Sequence, residues 1–514
     1  MEKRTLTQHL GAFGGATFIS RILGYIRDAL VAAYFGGGLL TDAFYAAFKV
    51  PNLLRRFLGE GAMTAAFVPI FTDLNNKKGK KDAVEFFNAL FSGLVVVLTT
   101  LVVLGVIFAP AITKAVAWGF TQTPEKFELA KELVRITFPF LFFISLAALM
   151  TAVLNSSGRF FVPAVSPAGL SIAEIAFVLL FYHSMSSPIH GLAASVVAGG
   201  ALHFMFQLPK AWKLGFRPRL VKPFSHPEVK TFLILLGPTI LGLCAEQVNA
   251  FVDQFCASFL IDGSITALYN SDRVMQLPLA LFGIAMSNVA LPALSKAVSN
   301  QNRGEFKDIL NFSLGVTNYV LIPSFIGFVI LGLPIIQLLF EHGRFTQHNS
   351  ILTYQALVPY ALGLPAYSAV KIMATAFYAQ KNTKTPVRVA LYAMGLHAVL
   401  SVTLMWRFQV AGLALSTALS SWFQCVCLFY LLRKEVGNLG GRGLLKSFFF
   451  GTGVGILMGA VCYISYHYYL SSLSLYLRVP FVILVGVVVY FGLSKLFRIH
   501  EFEVLLNSLL KKRV

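Results

Sequence analysis

Six cations set inside apolar sequence define the chemistry open to this chain: Arg21, Arg27, Lys49, Arg55, Arg56 and Arg273. Arginine stays charged, and its planar fork donates two parallel hydrogen bonds, which suits it to phosphate. A cation at the centre of a membrane helix costs roughly 2.5–3.5 kcal/mol on insertion scales, so such residues face a cavity or a partner. Four acids accompany them, Asp28, Asp42, Glu60 and Asp272, and the six-to-four excess predicts an anionic, phosphorylated ligand. The same spacing supports a second reading, in which Arg27–Asp28, Arg56–Glu60 and Asp272–Arg273 are local ion pairs and Arg55 snorkels to an interface. Asp42, Lys49 and Arg56 are seven apart and form one helical stripe, as do Arg21 and Asp28. Pro51 and the Gly59/Gly61 pair are expected to bend or break the segment that carries the stripe.

A different chemistry is written in CAEQVNAFVDQF, where Glu246 and Asp253 lie in an apolar run with Gln247 and Asn249. Buried carboxylates of this kind suit Na⁺ or a proton used for coupling, and equally suit polar contacts between helices. Glu174 and His397 are lone polar residues of apolar helices and read as structural. The chain has no P-loop, zinc-ligand spacing or G-x-S-x-G elbow, so it is not expected to be an enzyme, and no metal site or cofactor is assigned.

The elements that position these residues must be membrane helices. The chain of 514 residues is 57% hydrophobic and only 12% charged. Only apolar segments of roughly 20 residues match the bilayer core. About fourteen spans fall between residues 9 and 497. The first is interrupted by Arg21 and Arg27 and lacks a cleavage site, so it reads as a retained helix and not as a signal peptide. All five cysteines lie in apolar segments, which argues against disulfides.

The net charge of +20 is topological and no sign of nucleic acid. With the first residues inside, Lys and Arg number 28 in inward segments against six in outward ones, Lys114, Lys126, Lys131, Arg344, Arg407 and Arg478. That asymmetry predicts a multi-pass membrane protein with both termini cytoplasmic.

The segment around Lys49 has an echo about 224 residues later. Ala43, Tyr45, Lys49, Val50, Leu53 and Gly59 match Ala267, Tyr269, Arg273, Val274, Leu277 and Gly283. The expected fold is an all-α polytopic membrane protein with two similar six-helix lobes, 1–220 and 221–436, and two C-terminal helices in 437–514. Six is even, so the repeat is parallel, an arrangement used by alternating-access transporters.

SRILGYIRDALVAAYFG (20–36), TDAFYAAFKVPNLLRRFLGEGAMTAAFVPIF (41–71) and NSDRVMQLPLALFGIAMSNVALPALSKA (270–297) closely resemble the MurJ (MviN) family of lipid II flippases, within the multidrug/oligosaccharidyl-lipid/polysaccharide exporter superfamily. The resemblance covers essentially the whole chain. It implies export of lipid II, the undecaprenyl-diphosphate-linked disaccharide-pentapeptide, from inner to outer leaflet for peptidoglycan synthesis. It maps the family's cavity residues onto Arg21, Arg27, Asp42, Arg55 and Arg273, to which the charge pattern adds Lys49. The last two helices would form a groove for the polyprenyl tail, and membrane lipids and cell-wall synthesis enzymes are the further expected partners. The sequence departs from some relatives at Gln276 and in helix eleven, which lacks an acid, so Na⁺, H⁺ and the membrane potential all stay open as the driving force. The rival functions are a flippase for another polyprenyl-diphosphate oligosaccharide, a MATE-like antiporter, and a non-transporting scaffold for cell-wall assembly. The basic excess opposes a cationic-drug exporter.

Overall fold

In hydrocarbon, backbone polar groups must be satisfied within a segment, which leaves helices as the solution for apolar runs of this length. A computed structural model describes the backbone at residues 3–58, 62–497, 499 and 501–503, with side chains described there except at 3–18, 56–58, 62, 65, 238–246, 442 and 444–446. Among the described residues there are helices, turns and bends but no strand.

The chain divides into two compact units. Unit 1 runs to Ile265 and includes the short segment His342–Phe345. It holds α1 (Lys3–Phe35), α2 (Leu39–Leu58), α3 (Ala62–Lys77), α4 (Lys80–Ile107), α5 (Ala109–Val116), α6 (Pro124–Thr137), α7 (Phe140–Ser156), α8 (Phe161–Val165), α9 (Ala168–Leu180), α10 (Pro188–Lys213) and α11 (Glu228–Ala257). Unit 2 holds nearly all of α12 (Ser264–Pro278), then α13 (Ala285–Ser299), α14 (Arg303–Phe340), α15 (Gln347–Leu362), α16 (Leu364–Ala379), α17 (Lys384–Val436), α18 (Gly441–Ile464) and α19 (Leu475–Leu496). The packing boundary thus follows α11, whereas the expected lobe boundary at 220/221 was drawn from the repeat, a different criterion.

Nine helical stretches among the described residues are long and apolar enough to cross a membrane, and the α15–α16 pair, bent by 42°, adds a tenth. Helices α1, α2 and α11 are outside that count. At 53 residues α17 would run about 80 Å, far beyond a core of about 30 Å. It is broken at Gln409, whose φ of 49° and ψ of −127° leave the helical region, so it is two helices end to end. Helix α2 is unbroken at Pro51, and Glu60 with the Gly59/Gly61 pair lies outside the described residues.

Unit 1 is built on α2 against α6, α1 against α9, and α10 against α7 and α9. Its interior is aromatic: Phe67, Phe86, Phe87 and Phe140 are fully buried, with the Phe67 and Phe86 rings stacked 5.5 Å apart. In unit 2, Leu294, Leu310, Ile372, Phe377 and Leu428 form one core. A second core joins α14 to α18 and α19, where the Tyr490 hydroxyl donates to the Tyr319 carbonyl at 2.7 Å. Small-residue spacing brings α18 close to α14, since Gly455 and Gly459 face Ile326 and Ile330.

Candidate functional site

Unit 1 holds two clusters of one cation between two carboxylates, each with a member on α1 or α2. The first joins α1 to α9. Arg27 donates from Nε and Nη2 to Asp28 Oδ1 at 2.9 and 2.7 Å, and its Nη1 lies 3.7 Å from Glu174 Oε1. All three residues are buried, at 7%, 2% and 3% exposure. Removing one member of a buried pair strands a charge, so the pair is worth far more intact than either half alone. Glu174, expected to be a structural polar residue, is the long-range partner of Arg27. Its one legible signal was an acid alone in an apolar helix.

The second cluster joins α2, α6 and the turn before α12. Asp42 stands in the first turn of α2 and is 1% exposed. Its Oδ2 accepts from Lys126 Nζ at 2.9 Å and from the Gly263 amide at 2.8 Å. Gly263 has φ +91°, a left-handed conformation that a side chain would strain. Lys126 also donates to Asp262 Oδ1 at 2.7 Å and sits 4.4 Å from the centre of the Phe120 ring, a cation–π contact. Lys126 was read from the sequence as an outward topological charge. It is 3% exposed and also links two acids, 84 residues upstream and 136 downstream.

The other sequence-predicted residues are placed more openly. Arg21 is exposed on α1, while Lys49 and Arg55 are half-buried on α2, where Arg55 Nε donates to Asn52 Oδ1 at 3.0 Å. The side chain of Arg56 lies outside the described residues, and with it the expected Arg56–Glu60 pair. In unit 2, Arg273 is half-buried on α12 with its guanidinium 5.5 Å from the centre of the Tyr269 ring. Asp272 accepts a hydrogen bond from Gln276, one turn further along. Asp253 is half-buried on α11, and the Glu246 side chain lies outside the described residues. Among the described residues no group of three or more His, Cys, Asp or Glu could hold a metal ion. His397 is fully buried, with Nε2 3.2 Å from Thr417 Oγ1.

Known proteins resemble this arrangement over most of its length. A family model described as "Lipid II flippase MurJ" matches residues 31–487. The lipid II flippase MurJ of Burkholderia cenocepacia is 34% identical, over 84% of this chain and 85% of its own. The probable lipid II flippase MurJ of Rickettsia prowazekii is 33% identical, over 95% of this chain and 97% of its own. Among solved structures, a lipid II flippase MurJ in an inward closed conformation superposes with a TM-score of 0.80 at 30% identity, covering 94% of this chain and 98% of that one. An inward-facing MATE family transporter of the MOP superfamily shares the fold, with a TM-score of 0.65 at 13% identity over 82% of this chain and 96% of its own.

Proposed function

The chain belongs to the MurJ family of lipid II flippases, and we propose that it carries lipid II from the inner to the outer leaflet of the bacterial cytoplasmic membrane by alternating access. The observation that carries the reading is the family match over residues 31–487 together with the cations on α1, α2 and α12. It is a transporter and no enzyme: the substrate leaves as it entered, and the protein supplies a path for a polar headgroup through hydrocarbon.

The diphosphate is the fixed anionic part of the headgroup, and Arg21, Lys49, Arg55 and Arg273 are its proposed contacts. Arg27 enters the same set with a difference. Asp28 and Glu174 hold its guanidinium when no phosphate is near, so a diphosphate would take over from carboxylates already placed to balance the charge. Asp42 acts through Lys126 and Gly263, fixing the start of α2 and not touching the ligand itself.

The fold proposed for this cycle has fourteen membrane helices, two six-helix lobes and a C-terminal pair, with both termini cytoplasmic. An inside-negative potential favours outward movement of an anion by about 2.3 kcal/mol per charge per 100 mV. Asp253 and Glu246 are the proposed ion-coupling residues if Na⁺ or H⁺ contributes.

The test replaces Arg21 or Arg273 with Ala in cells depleted of their own flippase and measures surface-exposed lipid II. Loss of a charge-assisted phosphate contact is expected to lower export by about tenfold or more at unchanged protein level. Full rescue by both variants would remove the phosphate contacts from the mechanism. Asp253→Ala assayed with and without Na⁺ reads coupling, and unchanged transport takes that residue out of it.

A further inference from the structure

The linker between α10 and α11, residues 214–227, is irregular backbone held against α4. The Arg219 amide donates to Asn88 Oδ1 at 2.9 Å. Two residues on, the Val221 amide donates to Ser92 Oγ at 2.9 Å, while the same hydroxyl donates to the Arg219 carbonyl at 3.3 Å. The Phe224 amide reaches the Ala89 carbonyl at 3.4 Å. Asn88 and Ser92 are thus the polar side chains, 6% and 2% exposed, that satisfy backbone groups a helix would otherwise satisfy itself.

Further pins flank this ladder. The Phe216 ring lies 5.2 Å from Phe71, and His226 Nε2 lies 3.6 Å from Asp82 Oδ2. Phe224 adopts φ +56°, a strained conformation for a bulky residue, and lays its ring where a Cβ on Gly93 would come within 2.4 Å. An unconstrained loop would need none of this.

What the pinned linker presents outward is two-sided. Leu220 is 74% exposed, and Trp212, Val221 and Phe224 are also exposed. Between them stand Lys213, Arg217, Arg219 and Lys222, all exposed, and among the described residues none of the four is paired with a carboxylate. The depth of the ladder explains the mixture. Helix α4 has 28 residues and runs about 42 Å, longer than a hydrocarbon core of about 30 Å. With its apolar C-terminal end at the far boundary, Asn88 falls about 28 Å away, where headgroups meet acyl chains, and Ser92 one turn deeper, at the top of the acyl region.

We propose that residues 212–224 form an interfacial belt that binds the anionic phosphate headgroups of the inner leaflet. Leu220, Val221 and Phe224 enter the acyl region, while Lys213, Arg217, Arg219 and Lys222 meet the phosphates. The belt anchors unit 1 at that boundary. The inner-leaflet assignment rests on the inside orientation proposed above.

The test uses the full-length protein in detergent, titrated with mixtures of phosphatidylglycerol and phosphatidylcholine, with retained lipids counted by native mass spectrometry. The quadruple variant Lys213→Gln, Arg217→Gln, Arg219→Gln, Lys222→Gln is expected to lower the preference for phosphatidylglycerol by about tenfold. The control Lys381→Gln, Lys384→Gln, Arg388→Gln is expected to leave it unchanged. Asn88→Leu with Ser92→Ala keeps the four cations but frees the linker, so amide exchange at 219 and 221 should rise and the preference fall. The belt is overturned if the quadruple variant keeps its preference, since the anionic headgroups then bind elsewhere. It is equally overturned if the control falls as far, or if the freed linker keeps full preference, since charge number alone then suffices. Detergent has no sidedness, so these outcomes are independent of orientation. Labelling of Lys222→Cys from outside intact cells would overturn the inner-leaflet assignment alone.

Discussion

The Arg27 and Lys126 clusters use the same parts, one cation between two carboxylates, and differ in where the second carboxylate sits. Around Arg27, Asp28 and Glu174 are both buried, so the cluster stands wholly away from water. Around Lys126, Asp42 is buried but the Asp262 side chain is 57% exposed. A charge's worth depends on what surrounds it when its partner is gone. Identical chemistry should therefore respond very differently to substitution.

The largest effect is expected from Arg27→Ala, which takes from two buried carboxylates the guanidinium they share. Breaking a buried pair this way costs about 3–5 kcal/mol, read as lost resistance of the purified protein to thermal unfolding. Equal stability of variant and parent would show that the cluster is solvated. Lys126→Met comes next, at about 3 kcal/mol, because Asp42 keeps the Gly263 amide. Adding Asp42→Asn to Lys126→Met should restore part of that loss, and a double-mutant cycle without coupling would contradict the 2.9 Å contact. Glu174→Gln is milder, about 1–3 kcal/mol, since Arg27 retains Asp28. Asp262→Asn should be smallest, at most about 1 kcal/mol. If it matched Lys126→Met, the exposed and buried carboxylates would be equivalent and the comparison would fail.

The two clusters also mark how far the sequence could be read. Arg27 and Asp28 are neighbours in the chain, and their pairing was legible as one of two readings. Glu174 and Lys126 were each noticed and each assigned a blander role, because their partners lie on other helices. Nothing in residue spacing could bring Lys126 to both Asp42 and Asp262. The linker belt was less legible still. Its cations counted toward membrane orientation, and nothing in the sequence marks Asn88 and Ser92 as partners of the linker backbone.

Composition and periodicity alone determined an all-helical membrane protein with charge concentrated in its first helices, because hydrocarbon admits few backbone solutions and penalises every buried cation. Family-level motifs in the first two helices identified the kind of cargo. Which carboxylate neutralises which cation was decided only by tertiary packing. Ion pairing acts over a few ångströms, and only the folded chain brings residues 84 or 136 positions apart within that distance.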